Sequence, residues 1–490
     1  MKNVTQFTKA ILFSFACISL FSATGFAQVN QQGIQGHEVK RATVNFADLV
    51  AYDQAHPEIR ANQKSPKEVE FNHGDIIKQM HGNYVPQNNR SEKSLHREKF
   101  IQPNSPAPVT TFNGEDDNTG VEPPDVSGAV GPVYVVTTHN QDVKISQKNG
   151  TVVSTVALTT FWSPIGATIS SDPKIVYDPS ADRFIFVCLV NYQSAAPLVG
   201  VAVTATNDPT GTWYQFAVDV DSTGASFLDY PELGYNKNWV SVGGNYFNNG
   251  SGNFTGVGLF VIDKPRLYSN TGVTYTKFTG SPYFVNTDFC ITAASIADTT
   301  VNDLFILESY DGTTGKFRQF TVSGTPTNPV LSGPITIQTS FLWNGSVGAS
   351  IGPQLGTATP IDLDDDRISG SVVYRNGHLW VTHMAYMPIA NPTRSSAHWL
   401  ELDTVGNIIQ DAMIDDPTSV VSYGYPAIAV GVKDEAHKKE GPSIATGVYG
   451  LRQTGFTSAH QVPQVSTVAS PYSATTQKVE SLIGSIHAKE

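Results

Sequence analysis

Cysteine is scarce: the 490-residue chain has 3. Cys17 sits in an N-terminal apolar run, which leaves Cys188 and Cys290. Two cysteines cannot make a disulfide framework, and these fall in strand segments too far apart for the Cα separation of about 7 Å that a bridge allows. They are expected as buried free thiols. Charge is also scarce, at 15% of residues, and basic charge more so, with 31 Lys+Arg against 43 Asp+Glu and a net of −12. Residues 28–108 are nearly balanced, with 10 basic and 9 acidic, whereas residues 109–490 carry 19 basic against 34 acidic. An acidic body excludes the electrostatic footprint of a nucleic-acid or anionic-membrane binder. Long apolar runs are lacking after the N-terminus. Ala10–Phe21 is shorter than the roughly 20 residues a spanning helix needs. With Lys2 and Lys9 before it and Gly25-Phe26-Ala27 after it, residues 1–27 read as a secretory signal cleaved before Gln28. S-F-A-C lacks the leucine that a lipidated Cys17 would have three residues earlier.

What is present is glycine and proline, 41 and 29 residues, between runs of Val, Ile, Phe and Tyr. From Asp172 to Asp221 four such runs follow one another: Lys174–Tyr177, Arg183–Tyr192, Leu198–Thr206 and Trp213–Val220. D-P-S-A-D, Q-S-A-A-P and N-D-P-T-G separate them, which is the signal of a four-stranded meander. A meander of about 50 residues cannot bury both faces alone, but blades of a β-propeller cover one another. The unit recurs with starts near 125, 172, 229, 288, 367 and 425. The fold class is therefore all-β, a β-propeller of six four-stranded blades with a polar N-terminal extension.

The domain reading follows. Residues 28–105 are rich in Gln, Asn, Lys and Glu, with one short helix at Asn45–Asp53 ended by His56-Pro57, and read as a propeptide or linker. Residues 106–430 are the propeller body. Residues 431–490 are atypical and complete the last blade, with strand Val109–Phe112 pairing with Ser443–Tyr449 or Gln461–Val468 to close the ring.

PPDVSGAVGP, SDPKIVYDPSADRF, DYPELGY, RISGSVVYRNGHLW and YPAIAV, all at blade starts, resemble secreted bacterial β-propellers of the sialidase-like, Asp-box architectural type, a branch without assigned activity. The Asp box, S-x-D-x-G-x-T-W, is altered in Thr206–Trp213, where the glycine comes one position late, and Ser309-Tyr310-Asp311-Gly312 begins another without its Trp. The resemblance implies the fold and no reaction.

Blade-start residues line one mouth of a propeller's channel. Here they include Asp125, Asp172, Asp229 and, close behind, Glu232. Carboxylates from consecutive blades suit glycoside hydrolysis, one acid protonating the leaving oxygen while another attacks the sugar or activates water. The placement is similar to five-bladed fructan and arabinan hydrolases, although the W-M-N-D-P-N-G nucleophile stretch is absent. The plainer reading is that these aspartates cap turns. Sialic acid cleavage would want three converging arginines, and only Arg367 sits at a blade start. Arg367 with the loop aromatics Trp343 and Tyr246 forms the candidate ligand-binding set. Asp362, Asp364 and Asp366, and Asp219 with Asp221, offer hard oxygen ligands for calcium. Gly348-Ala349-Ser350-Ile351-Gly352 matches a nucleophile elbow by letter but lacks its strand–turn–helix setting. His378, His383 and His398 read as packed strand histidines. The functional expectation is a secreted module that binds a glycan or an extracellular protein at one face of the ring, with a glycoside hydrolase or lyase as the alternative.

Overall fold

The structure, a computed structural model of the whole chain, describes residues 33–61, 73–81, 112, 125–345, 351–353, 358, 360, 363–419, 422–430 and 446–453. It opens with β1 (Ile34–His37), β2 (Lys40–Asn45), α1 (Phe46–Ala55), α2 (Glu58–Ala61) and α3 (His73–His81). Four-stranded antiparallel sheets then follow in chain order. The first holds β3 (Ser127–Val130), β4 (Tyr134–Thr138), β5 (Asp142–Gln147) and β6 (Val152–Ala157). The second holds β7 (Ser170–Asp178), β8 (Arg183–Val190), β9 (Leu198–Thr204) and β10 (Thr212–Asp219). The third holds β11 (Ser226–Tyr235), β12 (Trp239–Asn248), β13 (Phe254–Asp263) and β14 (Thr274–Thr279). The fourth holds β15 (Thr292–Ser295), β16 (Leu304–Asp311), β17 (Lys316–Thr325) and β18 (Asn328–Gln338). The fifth holds β19 (Val372–Arg375), β20 (His378–Met387), β21 (Arg394–Asp403) and β22 (Ile408–Ile414). Last come β23 (Ser422–Val430) and β24 (Thr446–Gln453), paired antiparallel.

This is a β-propeller. The first strands of successive sheets meet side by side and parallel, Tyr235 opposite Ser295 and Ala294 opposite Val372. Each sheet buries its faces on its neighbours, as its alternating apolar residues require. Val136, Val143 and Ile145 of the first sheet share a core with Phe184, Phe186 and Val190 of the second. Ile185, Val187 and Val201 pack in turn with Leu233, Val240 and Phe260 of the third.

The first strands share one irregularity. Asp172, Tyr230 and Tyr425, each followed by proline, have φ of 54°, 53° and 47°. At each of them the strand's register slips against its partner. Proline has no N–H to donate, so it fits a bulge. Asp125 and Cys290, ahead of β3 and β15, share the left-handed conformation at 45° and 49°. Non-glycine residues held there cost about 1–3 kcal/mol each and cluster where structure serves function.

The polar extension departs from the linker reading. β1 extends the third sheet by pairing with β14, and β2 extends the second by pairing with β10. α1 begins where expected, capped by Asn45 Oδ1, which accepts the Ala47 N–H, and buries Phe46 and Leu49 against Phe161 and its neighbours. Asp53 accepts from Thr160 Oγ1 at 2.6 Å and pairs with Arg60. Deleting residues 28–105, which composition suggests the body tolerates, is therefore expected to unfold it. Phe46→Ala alone should remove about 3–5 kcal/mol, read as a lowered midpoint in denaturant.

The ends of the ring differ from expectation in detail. β19 starts at Val372 rather than Arg367, and β18 at Asn328 rather than Pro334. Thr446–Tyr449 pairs with Ala427–Val430. The remaining closure residues, Val109–Thr111, Ser443–Ala445 and Gln461–Val468, lie outside the described residues, as does the signal segment.

Candidate active site at the mouth of the ring

The bulged first strands bring the candidate carboxylates together. Asn140, in the turn between β4 and β5, joins two of them: its Nδ2 donates to Asp125 Oδ2 at 2.6 Å, and its Oδ1 accepts the Asp172 N–H at 2.8 Å. Asp172 accepts from Ser171 Oγ at 2.5 Å and from the Tyr230 N–H at 3.3 Å. Burial, then the adjacent Asp172 charge, push the Asp125 carboxyl well above the usual range, and Asp229 adds to the push. Asn140 and Lys174 oppose it without prevailing. A carboxyl pushed upward directly beside a second carboxyl is an arrangement acid–base chemistry uses.

Lys174, unremarked in the sequence, is central. Its Nζ lies 3.0 Å from Glu232 Oε1 and 4.9 Å from the Tyr230 ring centre. Burial raises the Glu232 carboxyl, with Lys174 and then Arg367 acting against that. Burial works against the Lys174 charge, but Glu232, Asp125 and Asp172 together keep its ammonium above the ordinary range. Glu232 is thus an ion-pair partner of Lys174, while Asp125, Asp172 and Asp229 remain half-buried.

The expected ligand-binding set is not assembled. Trp343 is fully buried and its indole N–H donates to Asp366 Oδ2 at 2.5 Å. Tyr246 lies in β12, buried, with its hydroxyl donating to Val220 O. Arg367 is buried and held by Asp364 and Asp365, with its guanidinium 4.6 Å from the Tyr230 ring centre.

The acidic runs read as calcium ligands bind protein donors. Asp221 accepts from Thr223 N and Oγ1 and from Ser226 N. The same Asp-x-Ser/Thr turn recurs at Asp178, Asp208, Asp298, Asp311 and Asp416. Asp219 is raised by burial and lies near Lys277, while Asp364 and Asp366 serve Arg367, Trp343 and His73. Asp362 lies outside the described residues. Among the described residues no group of three or more His, Cys, Asp or Glu side chains is placed to hold a metal.

Cys188 and Cys290 are buried free thiols, both pushed well up by burial. His383 and His398 face each other across β20 and β21 at 2.8 Å, and His398 meets Asp411 at 2.6 Å.

Another buried histidine comes from the extension. His73, at the head of α3, places Nδ1 2.5 Å from Asp366 Oδ1 and donates its backbone N–H to Asp365 Oδ2 at 2.8 Å. Burial opposes the charge on His73, but Asp366, Asp365 and Asp311 hold its proton above the ordinary histidine range. Its contribution to stability is therefore full below about pH 6.5 and fades as pH rises through the raised value. His73→Ala is expected to cost up to about 3 kcal/mol at pH 6 and less at pH 9, read from melts at both.

Among the described residues no helix is long and apolar enough to cross a membrane. No family model matches the chain and no curated protein is similar to it. Solved structures with a similar course are distant. They include the subtype N11 neuraminidase-like protein of A/flat-faced bat/Peru (H18N11), at 11% identity over 59% of this chain and 73% of that one, with a TM-score of 0.33. The parainfluenza virus 5 hemagglutinin-neuraminidase ectodomain matches at 11% identity over 62% and 73%, with a TM-score of 0.37. A Bacillus subtilis arabinanase matches at 14% identity over 57% and 94%, with a TM-score of 0.28.

Proposed function

We propose that the chain is a secreted six-bladed propeller that hydrolyses glycosidic bonds at the mouth of the ring. One observation carries this reading: Asp125 is driven toward its protonated form directly beside Asp172, with a single Asn140 amide holding both. Asp125 in that form donates a proton to the leaving oxygen. Asp172 acts on the sugar or on water, and the separation of the two carboxylates in the complex sets the stereochemical outcome. Lys174 keeps Glu232 in place and limits how far the Asp125 proton is held. Incubating the purified chain with a panel of polysaccharides and following products by NMR tests the reading. New reducing ends of one anomeric form are expected, and their rate should fall as pH rises through the Asp125 value, because only the protonated carboxyl donates. No new reducing ends on any member would oppose it.

A second reading, a binding module, draws on the Lys174–Glu232 pair, which engages one of the candidate acids, and on α3 packing against Tyr230. Retention of a glycan without cleavage would select it.

A further inference from the structure

The left-handed residue at the head of a first strand recurs as Asp125, Asp172, Tyr230, Cys290 and Tyr425. Three of these donate their backbone N–H to a side chain of the preceding sheet: Asp172 to Asn140 Oδ1 at 2.8 Å, Tyr230 to Asp172 Oδ2 at 3.3 Å, and Cys290 to Asn245 Oδ1 at 3.0 Å. The shared bond fixes the backbone and leaves the side chain free to differ. Tyr230 of the third sheet therefore stands where the first and second have Asp125 and Asp172. A bulky aromatic residue is rarely found at a φ of 53°, and strain of this kind gathers at functional sites.

The Tyr230 ring is held in place. Lys174 Nζ lies 4.9 Å and the Arg367 guanidinium 4.6 Å from its centre, and Ile76, Phe289 and Cys290 pack beside it. The residue is half-buried, and its hydroxyl makes no hydrogen bond among the described residues. Burial, then the Glu232 charge, push the phenol well above its usual range, so it keeps its proton as a donor. Both cations near it are already paired, Lys174 with Glu232 at 3.0 Å and Arg367 with Asp364 and Asp365 at 3.1 and 2.7 Å. Asp172 and Asp229 add negative charge close by. An anionic sugar would be repelled there, and an uncharged one would not.

We infer that Tyr230 is the substrate-holding residue of this site, its hydroxyl donating to a ring hydroxyl of an uncharged sugar beside Asp172. This rests on the reading of the site as one that takes glycans.

Tyr230→Phe tests it, because it keeps the ring, both cation contacts and the backbone N–H, and removes only the hydroxyl. The probes are cellohexaose, xylohexaose and mannohexaose, with hexagalacturonate as the anionic member, and binding is followed by calorimetry. The unaltered chain should bind at least one uncharged member, and Tyr230→Phe should bind it about three- to tenfold more weakly. Any cleavage should show that change in KM with kcat nearly constant, and the melting temperature should not move. A second measurement uses the unaltered chain labelled with ¹³Cζ-tyrosine. The resonance missing from Tyr230→Phe should shift when the bound sugar is added. A lowered melting temperature would make the hydroxyl a structural group and overturn the inference, as would tighter binding of hexagalacturonate. Equal affinity in both forms, with cleavage intact, overturns it while leaving the proposed reaction standing. Weakened binding in a chain that cleaves nothing supports it and removes the hydrolase. Binding of no probe by either form overturns it together with the glycan reading.

Discussion

Asp125→Asn is expected to slow glycosidic cleavage by about 10²–10⁴-fold, the usual contribution of a positioned general acid, with the melting temperature unchanged. The fold should tolerate the change because Asn has the shape of a protonated Asp, and Asn140 Oδ1 and Nδ2 can still meet its amide. Asp172→Asn should be at least as damaging to rate, since it removes the charge that both assists the sugar and drives Asp125 toward protonation. It should also move any residual alkaline limb to lower pH. Turn-capping aspartates would behave differently: Asp221→Asn, at an Asp-x-Thr turn of the same chain, should leave rate intact. Equal losses at Asp125 and Asp221 would mean that fold, not chemistry, is being measured.

Lys174→Met is the second large effect. It strands Glu232, whose side chain is 5% exposed, without its cation, and breaking a buried pair by removing one partner costs about 3–5 kcal/mol. The loss should depend on pH in a defined direction. Burial already raises Glu232, and without Lys174 it rises further, so the folded state binds more protons than the unfolded one above about pH 4.3. Stability of the variant therefore falls as pH increases through that window. Lys174 also works against the elevation of Asp125, so its removal should carry the alkaline limb of any activity upward. Denaturant midpoints at pH 5 and pH 8 check the first effect, and a rate profile the second. A variant as stable at pH 8 as at pH 5 would show that Glu232 is not dependent on Lys174.

The sheets were legible because each strand is a run of Val, Ile, Phe and Tyr closed by Asp-Pro or Asn-Gly turns. α1 was legible because Asn45 caps it and His56-Pro57 ends it. The carboxylates were legible through blade-start spacing, since a repeat puts equivalent positions at one mouth. Their partners were not. Lys174 and Glu232 are 58 residues apart, and His73 and Asp365 are 292 apart, so no local pattern announces either contact. Asn140 sits in H-N-Q-D, which reads as an ordinary turn. Trp343 and Tyr246 were misplaced as exposed because glycine-rich surroundings suggest a surface loop, whereas the indole N–H reaches inward to Asp366. Alternating oxygens in Asp-Val-Asp-Ser-Thr resemble a ligand loop, and in the structure local N–H and hydroxyl donors bond the Asp221 carboxylate. The extension seemed too polar to pack because it borrows the body's core through a few residues, Phe46, Leu49, Ile76 and Ile77.

The Asp125 carboxyl is expected to hold its proton above the range where ordinary aspartates ionise. Titration of the chain with ¹³C-labelled aspartate carboxyls measures this directly, with Asp125→Asn identifying the resonance. The signal lost in Asp125→Asn is expected to titrate well above the usual aspartate value of about 3.9, and Asp172→Asn should bring Asp125 back toward it. A resonance for Asp125 at or below the usual value, unmoved by Asp172→Asn, would contradict it.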